Sequence, residues 1–464
     1  MMLRLIIDVG TTHIKYNLYD ELTLITSRMD KVETYRGEFG KVYQNPEEIM
    51  LQIKRSIQRI TALYPSINHL VFSTAMHSIM PVFKEKRDEE MFIWLDTQGQ
   101  EFITTVKEKE EARIFYQKTG TPIHEMSPFA KIGAYKKRAW FNDVVRWIGM
   151  KEYIMETLTG ECVVDYSMAS ATGLFNLTTL TWDEDILSYL GIEEQQLGRL
   201  VDTDYHTALR PELLLELGLT EEVMVYIGAS DGCLASLAGY MANGTPHTLT
   251  IGTSGSVRKI SKTIQLDSEG ETFCYYLQKD MWVIGAASNN GGQVLEWLDT
   301  IFYGDQQIYQ ALEEVLQTSP IGSNGVRFYP YLTGERAPIW DSHCTGSFEG
   351  LLMSQGKEDL VRAALEGVLF NLFIIAKKID LDSKDLSISG GFFNNPLLAT
   401  MAADIFGRHC LQSPCLEPGF GALCLVTKGQ SSLGISDLER IFYNEDNHHL
   451  YHTAFQDFCK KINR

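Results

Sequence analysis

Two short segments, far apart in the 464 residues, share one form. Leu5–Lys15 reads as strand, Gly10-Thr11-Thr12, strand, and Leu249–Arg258 reads as strand, Gly252-Thr253-Ser254, strand. Each is a β-hairpin with a glycine and hydroxyl residues at its tip. Such a repeat, about half a chain apart, suggests an ancient duplication in which each half starts on its own hairpin. Glycine lets an anion approach the backbone, and N–H groups and hydroxyls donate to it. Two such hairpins can grip a nucleotide triphosphate from both sides. Asp8, just before the first tip, could hold Mg²⁺ through oxygen or water. Taken singly, either hairpin is more often a plain tight turn.

The rest of the chain alternates strands with helices and reads as α/β. Helical spacing marks 46–63, with Pro46 at the first turn, and 357–378, where Leu360, Ala364, Leu365, Val368, Leu369, Leu372 and Phe373 share one face. Further helices are expected over 101–117, over 144–157 with Gly160 as its cap, over 233–241 and over 395–406. Short strands are expected at 70–72, 91–95, 223–227 and 386–388. No linker rich in Pro, Gly or Ser divides the chain. The expected boundary lies at the second hairpin, giving domains over 1–240 and 241–464.

Gly228-Ala229-Ser230-Asp231-Gly232 turns from a strand into a small-residue helix and permits two chemistries. It matches GxSxG, so Ser230 could be the nucleophile of a serine hydrolase. That reading finds no HGGG-type oxyanion segment and leaves both hairpins unexplained. Alternatively Asp231 is a general base at a helix N-terminus; the plain reading makes it only an N-cap. Asn289-Asn290-Gly291-Gly292 and Ser389-Gly390-Gly391 each precede a helix, and small residues there would let an adenosine lie against backbone. Neither GxGxxG nor GxxxxGK[ST] occurs, so dinucleotide-fold and P-loop chemistry have no support. His77 and His124 stand beside small or turn residues and are candidates for sugar contact; a single histidine is more often structural. Trp94 with Asp96 has the form of a sugar platform beside a hydroxyl acceptor.

The net charge of −19 argues against nucleic acid and anionic membranes as partners. The one tight basic cluster is Lys136-Lys137-Arg138, of a size usual for a solvated helix face. The eight cysteines form no CxxC and sit among apolar or small residues, as reduced thiols of a cytoplasmic protein do. No apolar run is long enough to span a bilayer.

In combination, Asp8-Val9-Gly10-Thr11-Thr12, Ala75-Met76-His77, the Gly228–Gly232 turn, Thr250–Gly255, Gly334-Glu335-Arg336-Ala337-Pro338-Ile339-Trp340-Asp341 and Ser389-Gly390-Gly391 resemble the FGGY family of carbohydrate kinases, from Asp8 to about Gly429. Thr119–His124, Asp165–Phe175 and Gly334–Asp341 look most like the gluconate kinases of that family, with xylulose kinases next. The resemblance implies two actin-like, ribonuclease-H-fold domains with a cleft between them, ATP and Mg²⁺ as cofactors, and a sugar or sugar-acid hydroxyl as phosphoryl acceptor. It implies Asp231 as catalytic base and Asp8 beside the metal. Thr11, Thr12, Lys15, Gly252 and Thr253 fall at phosphates, and Gly292, Glu296, Gly391 and Asn395 (or its neighbour Asn394) at the nucleotide. Met76, His77, Asp96 and His124 fall at the sugar, with Asp231. A homodimer is compatible with the family. The chain departs from the pattern after Asp96, where Thr97 and Gln98 stand in place of the usual Asn and Arg. A gluconate carboxylate needs a cation or several N–H donors, and Lys131, Lys136, Lys137 or Arg138 could supply the charge.

Overall fold

The structure, a computed structural model, describes residues 2–85, 89–304, 307–413, 417–428 and 438–462. The chain forms two compact units, one of 1–241, 261–283 and 417–432, the other of 242–260, 284–416 and 433–464. The main break thus falls after Met241, and two later segments return to the first unit.

In the first unit, β1 (Leu3–Val9), β2 (His13–Asp20) and β3 (Thr23–Lys31) form an antiparallel meander. With β4 (Ile67–Thr74), β5 (His206–Ala208) and β6 (Met224–Ser230) the sheet order is β5-β6-β4-β1-β2-β3. β4 runs parallel to both β1 and β6, and β5 runs antiparallel to β6. In the second unit, β7 (His247–Ile251) and β8 (Gly255–Ser261) make the second hairpin, followed by β9 (Asp385–Ser389), β10 (His409–Gln412) and β11 (Glu439–Ile441). Their order is β8-β7-β9-β10-β11; β7, β9 and β10 are parallel, and β11 is antiparallel to β10. Hairpin, parallel strand, parallel strand, antiparallel edge: both sheets contain this order, within six strands in the first and seven in the second.

Helices cover these sheets where the apolar period is helical. α1 (Pro46–Thr61) is capped by Asn45, whose side chain accepts from the N–H groups of Glu47 and Glu48. Its Ile49, Ile53, Ile57 and Ile60 pack with Leu5, Ile7 and Leu70 of the strands in one apolar core. α2 (Met150–Thr159) ends at Gly160, and α3 (Tyr166–Ser170) is capped by Asp165. α4 (Asp231–Asn243) leaves the end of β6 directly, α5 (Gln293–Phe302) follows the Asn289–Gly292 turn, and α6 spans Lys357–Lys378. α7 (Pro396–Phe406) and α8 (Pro418–Val426) complete the helices used below.

Two expected helices differ. Residues 144–148 form a strand, Val144–Ile148, paired with Met80–Phe83, and helix begins only at Met150. The run Val-Val-Arg-Trp-Ile favours extended chain, and Gly149, in extended backbone, resets the direction. The expected helix over 101–117 divides into Gln100–Lys107 and Glu111–Thr119. The break falls in Glu108-Lys109-Glu110, beyond buried Val106, where no apolar side chain remains to hold the turn against the core. The expected strand at 91–95 stops after Phe92. The seven described cysteines form no disulfide, and Cys415 lies outside the described residues.

Candidate active site

Asp8 sits near the end of β1, buried, and accepts a hydrogen bond from Ser73 Oγ at 2.7 Å. Burial pushes its carboxyl up to about 6, against the Ser73 bond, and the Asp231 carboxylate adds to the rise. The hairpin tip turns at Gly10–Thr12. Thr11 Oγ1 accepts from Trp94 Nε1 at 3.0 Å, and its carbonyl accepts from Gln44 Nε2 at 2.7 Å. Thr12, exposed, receives Val32 N–H on its carbonyl. Lys15 reaches Glu417, just before α8, at 2.6 Å, with both side chains partly exposed.

Asp231 is the first residue of α4, and its Oδ1 accepts from Gly232 N–H at 2.8 Å. The strand before it is irregular. Gly228 has φ of +67°, and a Cβ there would lie 2.0 Å from the Phe72 carbonyl oxygen, so only glycine fits. This bulge, where the β4–β6 register shifts, aims the end of β6 into the helix start. Ser230, the alternative nucleophile, has no exposed surface, and its hydroxyl lies 2.9 Å from Ser167 Oγ rather than on an imidazole. The geometry therefore rejects the hydrolase reading.

Two of the expected sugar residues, His77 and Asp96, act on a buried lysine. Lys131 is fully buried on helix Pro128–Tyr135, and its Nζ donates to the carbonyls of His77, at 3.0 Å, and Met126. Burial pulls its pKa down to about 7, against the charges of Asp96 and Glu125. His77, in a left-handed turn with φ of +68° after Met76, donates from Nδ1 to the Ala171 carbonyl at 2.8 Å. His124 Nδ1 accepts from Met126 N–H, and its Nε2 lies 3.2 Å from Glu125. Asp96 is fully buried and accepts from Val42 N–H at 2.9 Å and Gln98 Nε2 at 2.8 Å. Gln98 also donates to the Tyr135 hydroxyl at 2.9 Å, so its amide organises this region from within. Lys136 and Lys137 turn away, to the Tyr189 carbonyl and the exposed Glu101.

In the second unit one cavity of about 520 Å³ is lined by Gly252, Thr253, Gly292, Glu296, Gly391 and Asn395, together with Tyr309, Phe392 and Asn394. The β7–β8 tip and the turn before α5 touch through backbone. Gly292 N–H donates to the Gly252 carbonyl at 2.7 Å and Gly291 N–H to the Thr253 carbonyl at 3.1 Å. A Cβ on Gly291 would meet the Ser254 backbone at 2.5 Å. Asn395 Oδ1 caps α7 through Leu397 N–H, which makes Asn394, on the same wall, the second amide of this cavity. Glycines and amides around such a volume suit a nucleoside with its phosphates. Lys131, Tyr309 and Glu417 gain their places here through contacts distant in sequence, and no motif marks the last two.

Among the described residues no cluster of three or more His, Cys, Asp or Glu could hold a metal. Asp8 alone fits the hard-oxygen donor that Mg²⁺ takes when it keeps waters and phosphate oxygens as its other ligands.

Two units, each with a sheet that opens on a hairpin, with Asp8 beside the first tip and a small-residue cavity beside the second, give the architecture of actin-like ATPases. The chain belongs to the FGGY family of carbohydrate kinases: residues 3–238 match the family's N-terminal domain and 248–420 its C-terminal domain. It is 34% identical to the gluconokinase of Bacillus subtilis over 98% of this chain and 92% of that protein. To the xylulose kinase of the same bacterium it is 27% identical, over 91% and 87%. A ligand-bound xylulose kinase from Lactobacillus acidophilus matches with a TM-score of 0.94 at 29% identity, over 100% and 98% of the chains. A gluconate kinase from the same organism matches with 0.93 at 30%, over 99% and 98%. The protein is thus a carbohydrate kinase, and the backbone by itself does not choose the sugar.

Proposed function

We propose that the protein phosphorylates gluconate, transferring the γ-phosphate of ATP to its terminal hydroxyl. The observation that carries the choice of sugar is the greater identity to the gluconokinase than to the xylulose kinase of one bacterium. In this reading the cavity at Gly292 and Gly391 takes the nucleoside, and Thr11, Thr12, Lys15, Gly252 and Thr253 meet its phosphates. Mg²⁺, when bound at Asp8, neutralises charge on the phosphates. Asp231 accepts the proton of the sugar hydroxyl as that oxygen attacks phosphorus in line and the bond to ADP breaks. Such transfer depends chiefly on positioning and charge stabilisation, and the base adds about 10²–10⁴-fold. Met76, His77, Asp96 and His124 shape the sugar side around Lys131. The buried Lys131 offsets part of the charge of Asp96 and Glu125, which lowers the repulsion that an anionic sugar meets there. The activity belongs in the cytoplasm.

Coupled ADP release on the purified protein tests the sugar. We expect kcat/KM for gluconate to exceed that for xylulose by more than about tenfold, which is 1.4 kcal/mol of transition-state discrimination. A tenfold preference for xylulose would make this a xylulose kinase.

A further inference from the structure

We propose that Lys151 and Asp165 form a buried positioning pair that fixes the strand end carrying Asp231. The inference rests on Asp231 being the base.

Lys151, on α2, has no exposed surface. Its Nζ donates to the carbonyls of Ile227, of Ala229 at 3.3 Å and of Phe72 at 3.4 Å. These carbonyls flank the Gly228 bulge, where β6 and β4 fall out of register and their ladder is interrupted. An ammonium has three donors, and here its backbone acceptors are Ile227 and Ala229 on the strand that delivers Asp231 and Phe72 on the neighbouring β4. Asp165, also fully buried, places Oδ2 3.4 Å from this ammonium and uses Oδ1 to cap α3 through Met168 N–H at 2.9 Å. α3 then returns to the same strand: Ser167 Oγ lies 2.9 Å from Ser230 Oγ and accepts from Ser230 N–H at 3.3 Å. The last residues of β6 are thus held from two sides by one ion pair, through Lys151 directly and through the Asp165-capped helix.

Burying an ion pair is expensive, and an apolar pair of similar size is often as stable. Burial pulls the lysine's pKa down, and Asp165, Glu152 and Asp231 act against that pull. The geometry gives the pair a task that an apolar pair lacks. A non-ladder backbone next to a reacting carboxylate needs donors where no strand supplies them, and displacement by an ångström can lower turnover on the order of a hundredfold.

The test is the neutral double variant K151Q/D165N, which keeps amide donors in both places. Its melting temperature and circular dichroism report folding; kcat and the KM values for ATP and gluconate report position. We expect a folded protein with kcat lowered by about tenfold or more and both KM values within about twofold of wild type. Wild-type kcat in the folded variant would overturn the proposal. If the double variant does not fold, S167A carries the test, since it removes only the hydroxyl joining α3 to Ser230. A lowered kcat at unchanged KM supports the pair's second arm, and unchanged kcat overturns it. D231N is assayed in parallel. Its inactivity beside a fully active K151Q/D165N refutes the positioning pair alone, whereas an active D231N refutes the base and the pair together.

Discussion

At residue scale, two neighbours in one turn have opposite surroundings. Ser230 is sealed against Ser167, while Asp231 opens α4 with its carboxylate coupled to that of Asp8. D231N is therefore expected to lower kcat by about 10²–10⁴-fold while an ATP analogue still raises the melting temperature. S230A is expected to keep turnover within about tenfold of wild type, because it loosens one support and removes no reacting group. Steady-state kinetics and thermal shift on both variants check this, and inactivity of S230A beside full activity of D231N would reverse the assignment. Asp8 and Asp231 stand out in the sequence as candidates because each is a carboxylate at a glycine-rich strand end. Lys131 and Lys151 were not legible in that way. A lysine in an amphipathic stretch reads as solvated, and only the packing of Pro128–Tyr135 and α2 on distant strands buries these two. Gln98, which stands where the resemblance expects an Arg, is placed by an amide that bridges Asp96 and Tyr135.

At the scale of elements, the Gly334–Asp341 motif acts as a brace. Glu335 is fully buried and accepts from Ser288 Oγ at 2.7 Å, Asn289 N–H at 2.7 Å, Arg336 N–H at 2.8 Å and Asn371 Nδ2 of α6 at 3.0 Å. These bonds tie the turn before α5 to α6, and that turn in turn clamps the β7–β8 tip through Gly291 and Gly292. The motif thus supports the small-residue cavity of the second unit. E335Q exchanges an acceptor for a donor facing other donors, which costs about 1–3 kcal/mol at such a site. Its expected signature is a KM for ATP raised about tenfold with the KM for sugar unchanged, read from two-substrate kinetics. Equal changes in both would mean general loosening. The bounds of α1 were legible to within two residues because an amphipathic face leaves little choice; those of α6 were also legible, although its expected single apolar face is overturned by burial of 361–372 on every side. The strand Val144–Ile148 was not, since five residues of alternating and β-branched chain followed by a true helix mimic one longer helix until a partner strand, Met80–Phe83, is known.

At the scale of the whole molecule, the repeated form explains why both hairpins were readable in the sequence. Hairpin tips recur with their sequence form, and each is followed in its sheet by two parallel strands and an antiparallel edge. What the fold adds is burial of charge, and this makes stability depend on pH. Glu152 is buried beside Lys151 and Asp165, and burial pushes its carboxyl from 4.5 up to about 7. Its folded form holds a proton that the unfolded chain has released between these values. That contribution to stability is complete below pH 4.5 and is lost as pH rises through 7. Asp8 adds the same sign between 3.8 and about 6. His247 has the opposite sign: burial lowers it from 6.5 to about 4, so its penalty disappears as pH rises through that window. Only a difference between variants isolates Glu152. The amide in E152Q can still accept the helix N–H bonds of Gly149 and Glu152, but it has no charge to desolvate. E152Q should therefore melt above wild type by a few degrees at pH 8, on the order of 2–3 kcal/mol. The two curves should converge towards pH 5, where the wild-type carboxyl is protonated in the fold. Scanning melting temperature from pH 5 to 8.5 for both proteins decides the matter, and a gap independent of pH would mean that Glu152 keeps its charge in the folded chain.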